Sequence, residues 1–100
     1  MLITNSFFEF SYLRNGVWDK FVNKLENKTI DGLKARSVRD ANYYLRFRTL
    51  NEGQSDFNSF VTSNENDYAG LKGKPIQCIQ FQVFKNDDTK LTSRIVVMYR

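Results

Sequence analysis

Histidine is absent from this 100-residue chain, and cysteine, proline and tryptophan occur once each. Without histidine, the usual general base and the commonest metal ligand are both missing. The lone Cys78 cannot close an internal disulfide, and its apolar setting reads as a small buried hydrophobe in preference to a reactive thiol. No HExxH, GxSxG or Cys/His cluster is present to support zinc or serine-hydrolase chemistry. Gly70, Gly73 and Lys74 have the flavour of a phosphate loop. Their spacer is too short, however, no Ser or Thr follows, and a strand comes next where a helix is needed. Asp31, Glu65 and Asp67 would act as a glycosidase pair only if the fold collected them, and loop carboxylates are ordinarily solvated or capping groups. The expectation is a protein that is not an enzyme, with no catalytic residues, no metal and no cofactor.

Long apolar runs are lacking too. The longest aliphatic run, Ile95–Met98, has four residues, so no membrane-inserted helix is expected. Met1–Phe10 has neither the basic start nor the apolar stretch of a signal peptide, which leaves a cytoplasmic chain or a fragment of a secreted one. Fifteen Lys and Arg against eleven Asp and Glu give a charge of +4, spread without a basic block. Such an excess favours solubility and pulls only weakly toward anionic partners.

What is present suits one folded domain spanning 1–100, because 41% hydrophobic and 15% aromatic residues are enough for a core. Three segments alternate as half-buried strands do. Phe8, Phe10 and Tyr12 alternate with Glu9 and Ser11. Tyr43, Leu45, Phe47 and Thr49 alternate with Tyr44, Arg46 and Arg48. Ile79, Phe81 and Val83 alternate with Gln80 and Gln82. Leu91–Tyr99 reads as a last strand and Met1–Ser6 as an edge strand or frayed terminus. Asn15-Gly16, Asp31-Gly32, Asn51–Gln54 and Asn86–Asp88 read as turns. Pro75 belongs just before a strand or at its edge. Two segments stay open between helix and bulged strand. Trp18, Phe21, Val22 and Leu25 sit at i, i+3, i+4 and i+7, and Phe57, Phe60 and Val61 at i, i+3 and i+4.

Those two segments also match each other. Phe10, Leu13 and Gly16 reappear 37 residues on as Phe47, Leu50 and Gly53. Trp18, Phe21, Val22, Glu26 and Asn27 answer Phe57, Phe60, Val61, Glu65 and Asn66 at a spacing of 39, and Gly32-Leu33-Lys34 answers Gly70-Leu71-Lys72 at 38. The reading is one unit used twice, about 8–40 and 44–84, with a partial third unit at 91–100 in which Val97 and Tyr99 mimic Leu45 and Phe47. The matched aromatics, Trp18 and Phe57, are expected as core side chains packed against each other. The fold class is mainly β, an internally repeated β-prism-like or barrel-like domain. The alternative is α+β, with short helices at 17–27 and 56–62.

The order of Gly53, Phe57, Val61, Ala69-Gly70, Gly73-Lys74 and the alternating Ile79–Val83 resembles the clostridial hydrophobic-W repeat. Gly16, Trp18, Val22 and Gly32 fit the same order in the first copy. The departures are Phe57 where the tryptophan stands, a shortened glycine spacing, and a first copy without the alternating end. The resemblance implies non-catalytic modules of bacterial surface or secreted proteins, thought to bind proteins or cell-surface glycans.

For a glycan or protein ligand, an aromatic face ringed by amides and carboxylates is needed, since sugars present apolar CH faces and many hydroxyls. Tyr68 beside Asn66 and Asp67 fits, as does Trp18 beside Asp19. The competing class is nucleic acid. There Tyr44, Arg46 and Arg48 on one strand face, with Lys34, Arg36 and Arg39 upstream, would stack bases and neutralise phosphates, although a solvated strand face accounts for them as simply. A third class is a small protein inhibitor or adaptor working through an aromatic patch or the Leu91–Tyr99 edge.

Overall fold

The alternating segments become the long strands of two antiparallel sheets. In the computed structural model, which describes residues 3–4, 8–25, 29–37, 42–92 and 95–98, ten strands and no helix are present. They are β1 (Ile3–Thr4), β2 (Phe8–Arg14), β3 (Val17–Trp18), β4 (Lys24–Leu25), β5 (Gly32–Ser37), β6 (Tyr43–Asn51), β7 (Val61–Thr62), β8 (Ala69–Gly70), β9 (Ile76–Lys85) and β10 (Ile95–Met98). One sheet has the order β3-β2-β5-β8 and the other β10-β9-β6-β7, while β1 and β4 form a separate pair. The sheets are open and do not close into a barrel. The Cα radius of gyration, 12.6 Å, is that of a folded 100-residue domain.

Period-two patterning decides which face is dry. Phe8, Phe10 and Tyr12 of β2, Leu33 and Ala35 of β5, Leu45 and Phe47 of β6, Ile79 and Phe81 of β9 and Val97 of β10 enclose one core. Tyr12 is fully buried, and its hydroxyl donates to the Lys24 carbonyl at 2.6 Å, so the one polar atom it brings inside is satisfied. Asn15 and Gly16 have φ of 51° and 79°, the left-handed pair that joins β2 to β3 with Arg14 opposite Val17. Pro75 lies just before β9, where its missing N–H costs no ladder bond. Cys78 is buried in β9, and burial pushes its thiol pKa up.

The two helix-or-strand segments are not helical in any described residue. Phe10 exchanges backbone hydrogen bonds with Val22 (2.7 and 2.8 Å), and Phe47 is the register partner of Val61. Asp19 N–H donates to the Tyr12 carbonyl at 2.9 Å, and Asn58 N–H donates to the Thr49 carbonyl at the same distance. Each segment thus returns along the outside of a long strand, with valine turned to the core and the aromatics to the other face. A helical spacing over three or four residues is also met by an extended chain interrupted by a loop. Glu26, Asn27, Arg39 and Tyr99, each part of a sequence expectation above, lie outside the described residues.

Gly32-Leu33 and Gly70-Leu71, matched in the sequence, are neighbours in space. Gly32 pairs with Gly70 and Leu33 with Ala69 across the β5–β8 ladder. The backbones approach so closely that a Cβ on Gly70, whose φ is +145°, would lie 2.5 Å from Gly32 Cα and collide with the Asp31 carbonyl. Ile95–Met98 lies along β9 as the fourth strand of the second sheet.

Candidate functional site

The faces of the sheets turned away from the core carry cations, and the returning segments lay aromatic rings over them. On β5, Lys34 Nζ lies 4.4 Å from the Trp18 ring centroid and Arg36 Cζ lies 4.0 Å from that of Phe21. On β6, Arg48 Cζ is 4.5 Å from Phe57 and 4.3 Å from Phe60, with Arg46 Cζ 3.9 Å from Phe60. These are cation–π distances, each worth about 0.5–2 kcal/mol depending on solvation. Trp18 and Phe57 are therefore half-buried covers over charged strands, on separate sheets and outside the apolar core, not knobs packed on each other.

Trp18 also meets Tyr68 edge to face, with centroids 5.2 Å apart. Tyr68 is 38% exposed and covers Gly32, at which an added Cβ would lie 3.2 Å from the tyrosine ring. Asp67 Oδ1 accepts from the Tyr68 N–H at 2.8 Å, fixing the approach to that ring. The fold thus brings together all four residues picked out for a glycan or protein ligand. Trp18 and Tyr68 touch, and Asn66 and Asp67 stand on the adjoining loop.

That loop, 62–67, borders an open trough. One part, about 280 Å³, lies among Phe21, Lys34, Arg36, Asn66 and Asp67. The next part, about 570 Å³, lies among Tyr43, Tyr44, Glu65, Asn86 and Asp88. Arg36, Ser63, Asn64 and Glu65 line both, which makes the two parts one surface. Buried Ser63 anchors the loop, donating from its N–H to the Leu45 carbonyl and accepting from the Leu45 N–H, both at 2.8 Å. The single proton of the Thr62 hydroxyl is within reach of both Asn64 Oδ1 and Glu65 Oε1 and is donated to one of them at a time, so the turn is held by its own side chains.

At the far end Tyr44 stacks on Phe84 (5.3 Å, 8° between planes) and donates from its hydroxyl to Asp88 Oδ1 at 2.8 Å. That hydrogen bond to Asp88 raises the Tyr44 pKa, with desolvation and the Asp88 charge adding to it and the Arg46 charge opposing. Arg36 donates from Nε and Nη2 to Glu9 Oε1 at 2.9 and 2.7 Å. Arg14 is held in the same way by Asp19. The proposed base-stacking face is consequently not bare. Arg46 and Arg48 lie against phenyl rings, Lys34 lies against Trp18, and Tyr44 has one face on Phe84.

Sequence reasoning missed Tyr43, Asn64, Asn86 and Asp88 as trough residues. Asn86 and Asp88 sit in a turn, and only the β6–β9 pairing carries that turn to Tyr44. Among the described residues no three His, Cys, Asp or Glu side chains come together to hold a metal ion, and no helix is long and apolar enough to cross a membrane. No protein-family model matches the chain, and searches of curated proteins and of solved structures find no match.

Proposed function

We propose that this chain is a non-catalytic binding module whose ligand is a glycan lying in the trough between Tyr68 and Tyr44. The observation that carries this reading is the trough's lining. Phe21 stands at one end, with Tyr68 next in the chain to lining residue Asp67, and Tyr43 and Tyr44 stand at the other; amides, carboxylates, Lys34 and the Arg36 guanidinium lie between them. A polyhydroxylated chain uses such a surface well, because its hydroxyls both donate and accept while its CH faces stack on rings. Nucleic acid fits less well. Glu65, Asp67 and Asp88 would repel a continuous phosphodiester, and the rings beside the cations are already occupied.

The matched pairings Phe10–Val22 and Phe47–Val61, with their matched cations and covers, support a further part of the reading: one ancestral unit was duplicated. The same features are compatible with kinship to the hydrophobic-W modules, and with it a surface or secreted location. A protein partner is the second reading. It is favoured by Val96 and Met98, which are 49% and 67% exposed on the edge strand β10.

Calorimetric titration with neutral oligosaccharides of defined linkage, repeated in rising salt, tests the proposal. Binding is expected to fall at least tenfold in Tyr68→Ala and to depend shallowly on salt. Affinity only for polynucleotides, falling steeply with log salt, would overturn it.

A further inference from the structure

Arg46 and Arg48 differ from the other well-placed arginines. Arg14 and Arg36 each have a carboxylate on their N–H edge. Among the described residues no carboxylate lies within 4.0 Å of Arg46 or Arg48, and Arg48 has one acceptor, Gln80 Oε1, to which its Nε donates at 2.8 Å. Arg46 has none among the described residues, so its five N–H groups are uncommitted to any of them. Both residues are half-buried and stand two positions apart on one strand face, roughly 7 Å along the strand, where like charges repel. Gln82, the register partner of Arg46, is only 6% exposed, and its amide has no hydrogen-bond partner among the described residues. Unneutralised charge and an unsatisfied buried amide side by side are a cost that folding alone does not require.

The rings explain what remains available. Phe57 and Phe60 both contact the Arg48 guanidinium, and Phe60 also contacts that of Arg46. A ring over the flat face of a guanidinium leaves its in-plane N–H groups able to donate, and it restricts the side chain before any ligand arrives. A planar donor edge held in this way suits two oxygens of one tetrahedral anion.

We infer that the Arg46–Arg48 pair, with Gln82, is a receptor for a sulfate or phosphate ester borne by a glycan. This rests on the glycan reading, because Arg46 pairs across the ladder with Thr62 and lies two residues from Tyr44, both of which line the trough. The ligand is then a hydroxyl-rich chain with spaced anionic groups. Its sugar rings lie along the carboxylates and amides, and an ester group reaches the guanidinium edges.

The test uses the folded chain in two experiments. In the first, the arginine Nε–H resonances are followed by NMR while sodium sulfate, sodium phosphate or sodium chloride is added at matched ionic strength. Saturable shifts at Arg46 and Arg48 with sulfate or phosphate, absent with chloride and absent at Arg14, are expected, and the stronger anion identifies the ester. Uniform shifts across all arginines, or none, would overturn the inference.

In the second, dextran, dextran sulfate and a phosphorylated dextran are compared as ligands. The Arg46→Gln/Arg48→Gln variant is expected to lose tenfold or more of its affinity for the esterified polymer and to keep that for dextran. Arg14→Gln/Lys20→Gln, which removes the same charge elsewhere, is expected to change little. Equal losses in the two variants would overturn the inference, as would tighter binding of single-stranded DNA with a steep salt dependence. Dextran binding without preference for the esters defeats this inference alone, whereas failure of all three polymers defeats the glycan reading as well. Should the double variant not fold, the anion titration of the unaltered chain decides.

Discussion

Replacing Asn51 with alanine is expected to cost more stability than removing any other single polar side chain, and the size of the loss follows from its contacts. Asn51 is fully buried at the end of β6. Its Nδ2 donates to the Asp31 carbonyl at 3.0 Å, on the other sheet's approach strand, and to the Lys74 carbonyl at 2.6 Å in the turn before β9. Its Oδ1 accepts from Thr49 Oγ1 at 2.9 Å and from Asn58 Nδ2 at 3.1 Å. Truncation does not orphan all four partners. The Asp31 carbonyl keeps the Leu71 N–H at 3.1 Å, and Asn58 Nδ2 keeps Thr49 Oγ1 at 3.0 Å. The Lys74 carbonyl and the Thr49 hydroxyl proton are left without a partner.

At about 1–3 kcal/mol for the buried Thr49 hydroxyl, and less for the carbonyl of exposed Lys74, the loss is roughly 2–4 kcal/mol. Against a total of about 5–15 kcal/mol for a small domain, that is a large fraction. Urea unfolding reads it as a lowered midpoint with an unchanged slope. Thr49→Val, which breaks only part of the network, is expected to cost about 1 kcal/mol. A loss below about 1 kcal/mol in Asn51→Ala would refute the reasoning, because it would mean that the two sheets are not joined through this amide.

Gly70→Ala is expected to prevent native folding or to lower the thermal midpoint sharply, since β5 and β8 cannot separate without losing the Gly32–Gly70 contact; circular dichroism checks it. Trp18→Ala is expected to destabilise by about 1–3 kcal/mol, less than a core aromatic, because the ring is half-buried over Lys34 and against Tyr68. A loss above about 4 kcal/mol in urea unfolding would put Trp18 in the core after all. The Tyr44 phenol is expected to ionise later than an ordinary tyrosine in an absorbance titration, and Asp88→Ala to remove the delay. Because the folded-state pKa is raised, the stability from this pair is fully present below the unfolded value of about 10 and is lost as pH rises through the folded value.

β2, β6 and β9 were legible because each alternates over five or more residues and one face must be dry, whereas β5 reads in the sequence as a turn followed by basic residues and its strand was missed. Phe47, Ile79 and Phe81 could hardly be placed elsewhere. The two-residue strands β3 and β7 were not legible, since a strand that short has no period and is defined only by its partner. The aromatics that cover the sheets illustrate the same limit. Arg36 lies 15 residues from Phe21, and nothing local says that one will cover the other. Nothing in the sequence match of Gly32 with Gly70 says that the two backbones meet across the β5–β8 ladder. Of the site, Tyr68, Asn66, Asp67 and Trp18 were visible as an aromatic among amides and carboxylates. Asp88 and Asn86 looked like ordinary turn residues until β6 and β9 were paired.

The most direct test of the whole account is an amide and side-chain NMR map of the labelled protein titrated with a neutral and a sulfated oligosaccharide of the same backbone. Shifts confined to the trough between Tyr68 and Tyr44 are expected for both, extending to Arg46 and Arg48 only for the sulfated one. Shifts that bypass the trough and gather on β10, or that are absent with either sugar, would contradict it.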